Sequence, residues 1–452
     1  MPLTALDIYK LLPKTNCGEC AFPTCLAFAM QLATKKVAID ACPYASDDTK
    51  ATLAGAAAPP IRLVSVGPTE QCIVMGKETV LFRHEETFYH PTAVAVRIKT
   101  DRSPEELRAA FERVKALRFD RVGQDVRVEL VALEDATGEP ARFASAAALA
   151  SEMGLALVLM SSSPDVLSAA ASAVKQHRPL LYAATAENWE AMAQLAKSCG
   201  CPLAVRGKDL DELADLTARI AASGVTDLVV DSGARTPAAT LQDLTQIRRL
   251  ALRKTFRPFG YPAMAFATSD DPLDQTVQAA AYICKYAALV VTDELEPWQA
   301  LALVTARQNI YTDPQKPIQV ESGIHTIGAP DEASPVLVTT NFSLTYFTVE
   351  ADTETSRTPA WVVVVNTEGM SVMTAWAADK FNAETITKAI GESQIAERVG
   401  HRRVVIPGGI AALSGKLEEL CGWQVMVGPR ESAGIPAFMR TQWKQASAAA
   451  SS

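Results

Sequence analysis

The sequence predicts an α/β protein in three parts: a small cysteine-rich N-terminal module, a central (β/α)8 TIM barrel and a smaller C-terminal Rossmann-like α/β domain. Three observations carry this. The chain has 452 residues, room for about three domains at ~150 residues each. Eight continuous apolar runs lie between residues 92 and 293, each followed by a helical pattern. Four of the nine cysteines fall between Cys17 and Cys42. A balance of 48% hydrophobic and 21% charged residues is that of a globular protein with ample material for a core. No apolar run approaches the roughly 18 residues of a membrane span, and residues 1–10 lack the pattern of a secretory signal. With 43 basic against 51 acidic side chains, a net charge of −8 and no long basic block, neither nucleic acid nor an anionic membrane is expected as a partner. The expected compartment is the cytoplasm.

Residues 1–57 form the first module, ending in the small-residue stretch ATLAGAAAPP (51–60), which reads as a linker. The passage 61–88 suggests two strands, IRLVSV (61–66) and ETVLFR (78–83). The barrel is assigned to 58–322. Its strands are TAVAVRI (92–98), VRVELVAL (126–133), LALVLM (155–160), LLYAAT (180–185), PLAVRG (202–207), DLVVDS (227–232), PAMAFA (262–267) and ALVVTD (288–293). Apolar runs without alternation indicate strands buried on both faces, as in a parallel sheet. Eight such units in about 220 residues suit a closed barrel. A Pro- and Gly-rich loop, 311–335, leads into the domain assigned to 323–446. There VLVTTN (336–341), WVVVVN (361–366), RVVIPGG (403–409) and WQVMVGP (423–429) alternate with helical patterns, giving four parallel strands. The small residues 447–452 form a tail expected to be disordered.

The front cysteines, Cys17, Cys20, Cys25 and Cys42, are spaced C-x2-C-x4-C-x16-C, with Pro43 after the last. Structural zinc sites usually show two close pairs. Three cysteines in one tight loop and a distant fourth before proline match the layout of a cubane iron–sulfur cluster. Zinc and free thiols remain the alternatives. The odd cysteine total speaks against a disulfide framework, and Cys72, Cys199, Cys201, Cys284 and Cys421 read as small core residues.

At the other end, three loops leave strand ends: 367–374 (TEGMSVMT), 407–411 (PGGIA) and 428–434 (GPRESAG). Open α/β sheets bind ligands outside those ends. Their glycines would let a large flat ligand approach the backbone, or would merely close tight turns. Polar residues at the barrel strand ends, Asn188, Arg206, Asp231, Asp270, Asp293 and Glu294, occupy the usual place of a barrel active site, though any solvated loop face shows as many. They are expected to serve a scaffold or interface.

The opening LTALDIYKLLPKTNCGECAFPTCLAFAMQLATKK, the NTEGMSVMTAW and GPRESAGIPAF segments and the three-part order resemble the large (gamma) subunits of corrinoid iron–sulfur proteins of the reductive acetyl-CoA pathway, over essentially the whole chain. The resemblance implies a [4Fe-4S] cluster on Cys17, Cys20, Cys25 and Cys42, and a cobalamin-type corrinoid in the C-terminal domain. It implies a corrinoid site lined by Thr340, Tyr346, the run Gly369, Met370, Ser371, Val372, Met373 and Thr374, and Ala433 with Gly434, Thr374 lying near the lower face of the cobalt. Gly408 and Gly409 are added from their strand-end position.

The implied role is a methyl carrier, a subunit of a corrinoid-dependent methyltransferase system with no catalytic residue of its own. Co(I) accepts the methyl of methyltetrahydrofolate through a separate methyltransferase and passes it to acetyl-CoA synthase/CO dehydrogenase, while the cluster reactivates Co(II). A smaller TIM-barrel subunit would complete a heterodimer, and a reductive activator is a further possible partner. The D-x-H-x-x-G motif that supplies a histidine to cobalt is missing. A weak lower ligand favours four-coordinate Co(I), since axial ligation is a main lever on a cofactor. Two rival readings are a pterin-dependent methyltransferase barrel with an accessory cluster, and a reductive activator that carries the cluster but binds no corrinoid.

Overall fold

In the computed structural model the described residues are 5–33, 37–46, 49–50, 53, 59–69, 72–121, 123–315 and 317–446. Most of the linker expected at 51–60, and the tail 447–452, lie outside them. The chain divides into two compact units, 1–119 with 126–311, and 120–125 with 312–452.

The first unit opens with helices Ala5–Leu11 and Cys25–Ala33 and a short 3-10 turn, Ile39–Ala41. They share a small core of their own around Ile8, Leu12, Phe28 and Ala29. Next comes an antiparallel hairpin of β1 (Val64–Val66) and β2 (Ile73–Met75). The second strand therefore lies before the expected ETVLFR. That segment is irregular because Glu78 turns inward, where its carboxylate pairs with Arg248 at 3.3 Å and accepts the backbone N–H groups of Tyr89 and His90.

The barrel strands are β3 (Ala93–Lys99), then, after a hairpin of β4 (Arg118–Arg121) and β5 (Gln124–Arg127), β6 (Leu130–Glu134), β7 (Ala156–Met160), β8 (Leu180–Ala184), β9 (Leu203–Arg206), β10 (Leu228–Asp231), β11 (Ala263–Ala267) and β12 (Ala287–Thr292). They close in sequence order, with β12 pairing β3 in parallel. Period-two alternation sends Ala93, Ala95, Leu130, Ala132, Val158, Tyr182 and Phe266 inward, where alanines make room for the large rings. Val94, Val96, Val131 and Leu133 point out against the helices. Val64, Val66 and Met75 of the hairpin join the interior cluster. Six of the eight barrel helices begin with proline (104, 140, 164, 237, 272 and 297), a residue pre-set for the first helical position.

The second unit holds β13 (Gly323–Ile327), β14 (Val336–Thr340), β15 (Ala360–Val365), β16 (Arg403–Ile406) and β17 (Gln424–Val427) in the order β13-β15-β14-β16-β17. The four expected strands are parallel, but the sheet is mixed, because β13 pairs antiparallel with β15 from inside the expected loop 311–335. Residues 318–320 are fastened too, through Ser343 N–H to the Ile318 carbonyl at 3.1 Å and Val320 N–H to the Asn341 carbonyl at 2.9 Å. The stretch free to act as a connector is thus shorter than the sequence suggests. Helices Ser343–Ser356 and Ala383–Glu392, not singled out from the sequence, pack on the two faces of this sheet.

Candidate functional site

The front cysteines sit on a loop whose path needs repeated left-handed residues: Lys14, Asn16, Gly18 and Ala21 all have positive φ. Asn16 Oδ1 accepts the N–H of Cys25 at 2.8 Å and so caps the helix that Cys25 begins. Across the loop, the Tyr44 hydroxyl donates to Glu19 Oε1 at 2.9 Å, tying the segment after Cys42 to the Cys17–Cys20 turn. Cys20, Cys25 and Cys42 are buried in one apolar cluster, and Cys17 is exposed. Among the described residues no three His, Cys, Asp or Glu side chains converge on a single ion. A cubane does not require that, since each thiolate binds its own iron. Three thiols in one small core, with the fourth on the same tight loop, fit such a cluster.

In the second unit, β14 is the switch point of the sheet: the chain proceeds to β15 on one side and to β16 on the other. There the sheet also splits. β14 and β15 stay paired to Thr340–Val365, and β16 and β17 to Ile406–Val427, yet β14 and β16 pair only at Leu337–Val405. Above that rung lies a cavity of about 410 Å³. Its walls are strand residues such as Val338, Thr339 and Ile406, the helix side chains Leu344 and Thr348, and the loops bearing Ser371, Met373, Gly409 and Arg430. Crevices at such switch points are the usual ligand sites of open α/β sheets.

Of the residues singled out from the sequence, Ser371, Val372, Met373 and Gly409 line this cavity. The others do not line it. Met373 lies over Gly409, where a Cβ would come within 2.8 Å of its sulfur. Gly408 is locked between loops, its N–H bonded to the Pro429 carbonyl at 2.9 Å and its α-carbon so close that a Cβ would meet the Gly428 oxygen at 2.5 Å. Thr374 is exposed, its hydroxyl 3.0 Å from that of Ser371. Met370 and Gly369 belong to the turn before the wall, and Ala433 and Gly434 to a 3-10 turn behind Pro429. Tyr346 is buried on the other side of its helix, ring to ring with His325 and hydrogen-bonded to Glu350 at 3.1 Å. Burial and the Glu350 charge push its hydroxyl pKa up. Thr340 is fully buried.

The hydroxyls of Thr339, Thr340 and Ser343 are buried without a hydrogen-bond partner. Such groups are rare and call for a ligand or water, and Thr339 is part of the cavity wall. No sequence motif marks Thr339 or Thr348, and Arg430 is marked only by its place in the GPRESAG loop, 428–434. Neither histidine of this unit lines the cavity: His325 bonds the Glu321 carbonyl at 2.8 Å and His401 the Ser334 carbonyl at 3.0 Å.

The barrel mouth is different. Asp231 is 1% exposed and chelates Arg235 through both oxygens, at 3.0 and 2.8 Å, while accepting the Tyr182 hydroxyl at 2.8 Å. Arg235 in turn lies 4.4 Å over the Phe266 ring. Burial, then Asp231, push the Tyr182 pKa up. Arg97 holds Asp293 at 2.6 Å, Glu294 pairs with Arg102 and Arg113, and Asn188 accepts the Thr185 N–H at 2.7 Å. Only Arg206 and Asp270, of the six, are exposed without playing a part in these contacts.

A family model described as "CO dehydrogenase/acetyl-CoA synthase delta subunit" matches residues 63–439, and one described as "Putative Fe-S cluster" matches residues 12–44. The corrinoid/iron–sulfur protein large subunit of Moorella thermoacetica is 51% identical over 97% of this chain and 99% of its own. The acetyl-CoA decarbonylase/synthase complex subunit gamma of Methanothermobacter thermautotrophicus is 38% identical over 97% of this chain and 99% of its own. Among solved structures, dihydropteroate synthase of Thermus thermophilus aligns with 55% of this chain and 100% of its own, at 13% identity and a TM-score of 0.39.

Proposed function

The chain belongs to the family of corrinoid/iron–sulfur protein large subunits and acetyl-CoA decarbonylase/synthase gamma subunits, and from that premise we propose that it is a corrinoid-dependent methyl carrier. The observation that carries the reading on this chain is the split between β14 and β16, with its cavity and unpartnered hydroxyls. A cavity of about 410 Å³ would receive part of so large a ligand. Bound there, a corrinoid supplies a cobalt that accepts and releases a methyl group. The protein's share is to hold it without a histidine: an apolar wall of Val338, Ile406 and Met373, small residues where the backbone must come close, and the Thr339 hydroxyl to pair with an amide.

Cys17, Cys20, Cys25 and Cys42 would hold a [4Fe-4S] cluster, which supplies single electrons to restore the reduced cobalt. We read 1–57 as the cluster domain, 58–322 as the barrel and 323–446 as the corrinoid domain. The barrel mouth, whose Asp231 and Asp293 are engaged by their own ion pairs, serves as scaffold in this reading. The partners in this reading are a small barrel subunit, a methyltetrahydrofolate methyltransferase and acetyl-CoA synthase/CO dehydrogenase, with a reductive activator possible.

The test is metal analysis with anaerobic EPR of the full chain purified with its small partner. About one cobalt and four irons per chain, with a Co(II) spectrum lacking nitrogen superhyperfine splitting, is the expected result. Iron without cobalt, even after incubation with cobalamin, would overturn the carrier reading.

A further inference from the structure

We propose that Asn341, the residue after β14, is a positioning residue for the cavity: its carboxamide fixes the turn that presents Ser371, Val372 and Met373. The proposal rests on the carrier reading only for the identity of the ligand. Asn341 is 2% exposed, and both ends of its amide are engaged. Two backbone donors, the N–H groups of Thr367 and Gly369, each 3.0 Å away, face one end and identify it as the oxygen. The other end donates to Gln319 Oε1 at 3.0 Å and to Asn366 Oδ1 at 3.4 Å. The Thr367 hydroxyl is 3.0 Å from the same Asn341 oxygen and 2.9 Å from the Met370 carbonyl. It has one proton to give; given to Met370, it leaves the two lone pairs of Asn341 for the two amides.

The turn has few bonds of its own: Asn366 Oδ1 accepts the Glu368 N–H at 3.0 Å, and the Thr367 hydroxyl reaches the Met370 carbonyl. Its only internal backbone bond is Met370 N–H to the Thr367 carbonyl, at 3.2 Å. Both central residues, Glu368 (φ +57°) and Gly369 (φ +75°), are left-handed, and a glutamate stays there only when its surroundings require it. Gln319 closes the other side, its Cγ 2.9 Å from where a Gly369 Cβ would be. The next residue, Ser371, precedes the short helix Val372–Ala377 and accepts the Ala375 N–H at 2.8 Å. Where the turn ends therefore decides where that helix starts, and with it where Met373 crosses Gly409. Asn341 touches no ligand; it is not in the cavity wall. It acts through the loop.

The test compares Asn341→Leu and Asn341→Asp with the wild-type full chain by amide hydrogen exchange, before any corrinoid is added. Loss of the acceptor in Asn341→Leu should raise exchange at Thr367 and Gly369 by about tenfold, with β14 to β17 unchanged. Aspartate keeps the acceptor, and Gln319 can turn its amide to donate to it while Asn366 Oδ1 stays with the Glu368 N–H, so Asn341→Asp should restore most of the protection. Titration with aquocobalamin should then show affinity about tenfold weaker in Asn341→Leu and near normal in Asn341→Asp. The cluster absorbance should be the same in all three.

Unchanged exchange at the two amides, or the same loss of protection across the whole sheet, would overturn the proposal. If Asn341→Leu does not fold, Asn341→Ser, too short to reach both amides, takes its place under the same criteria. A wild-type chain that binds no cobalamin would sink the carrier reading alone, because the exchange data judge Asn341 without it.

Discussion

The two α/β regions of this chain present the same kind of edge, the carboxyl ends of parallel strands, and use it in opposite ways. At the barrel mouth the strand-end carboxylates that turn inward are answered by their own neighbours: Asp231 by Arg235 and Tyr182, Asp293 by Arg97. At the C-terminal sheet the strands part after a single rung, and the Thr339 hydroxyl in the cavity wall is left unanswered, as are those of Thr340 and Ser343 outside that wall. The lesson is that strand-end position alone does not make a site. A site needs a breach in the sheet and polar groups left for something else to satisfy. At the barrel edge the inward carboxylates face their own arginines; even Glu134, one of whose oxygens is buried without a hydrogen bond, has Arg97 at 3.7 Å.

The contrast is tested most severely at Asp231. If the barrel mouth is scaffold, Asp231→Ala leaves the buried Tyr182 hydroxyl and the Gly233 N–H without their acceptor and releases the exposed Arg235, and should destabilise the chain by about 2–4 kcal/mol, measured by denaturant unfolding. Cobalt content of the surviving folded protein should not change. A stable Asp231→Ala protein that binds corrinoid but no longer exchanges methyl groups would reverse the comparison, making the barrel the catalytic edge. A smaller effect is expected from Gly408→Ala. Its Cβ would sit 2.5 Å from the Gly428 oxygen, and such overpacking costs about 1–3 kcal/mol. Because the strain falls on two loops of the cavity, cobalt per chain should fall more than the Tm does. Full cobalt occupancy in Gly408→Ala would argue that these loops are mere turns.

How much of this was legible beforehand follows the same division. The barrel was readable because eight similar units repeat, so no single boundary mattered. β13 was not, because GIHTI is a half-buried edge carrying a histidine, set in a Pro- and Gly-rich stretch without apolar alternation. ETVLFR reads as a strand by composition, and only the buried Glu78–Arg248 pair, 170 positions apart in sequence, shows why it is not one. The loops around the cavity could be found from their glycines. The cavity itself could not, since it lies between β14 and β16, which are not consecutive and meet at one rung. Asn341 was hidden for a related reason: its bonds reach residues 22 to 28 positions away, and an asparagine ending a strand reads as a turn residue.

A gentler probe of the open edge is Thr339→Val. The hydroxyl is buried and unpartnered, so replacing it by a methyl of similar shape should leave the corrinoid-free chain as stable as before, or more so by about 1 kcal/mol. Corrinoid binding should weaken, because the group kept for the ligand is gone. A loss of stability without loss of binding would mean that Thr339 belongs to the fold, and the two edges would then differ less than argued.

The smallest effect concerns the far end of the same sheet, where polar groups are paired as in the barrel. The Nδ1 of His401 accepts the Arg403 N–H at 3.2 Å, so its proton resides on Nε2 and is donated to the Ser334 carbonyl at 3.0 Å. Burial, with the charges of Arg403 and Arg402, lowers its pKa, against the pull of the Ser334 bond. A histidine depressed in the folded state contributes stability that is present above its unfolded value, about 6.5, and is lost as pH falls through that value towards the folded one. The Tm of the corrinoid-free chain should therefore fall slightly between pH 7 and pH 5, and His401→Gln should flatten that part of the slope. The imidazole is half-buried, so solvent screening keeps the change small. Since His401 is not part of the cavity wall, corrinoid affinity should not follow it. A parallel loss of corrinoid over the same pH range, abolished in His401→Gln, would show that the paired end and the open end of the sheet are coupled rather than independent.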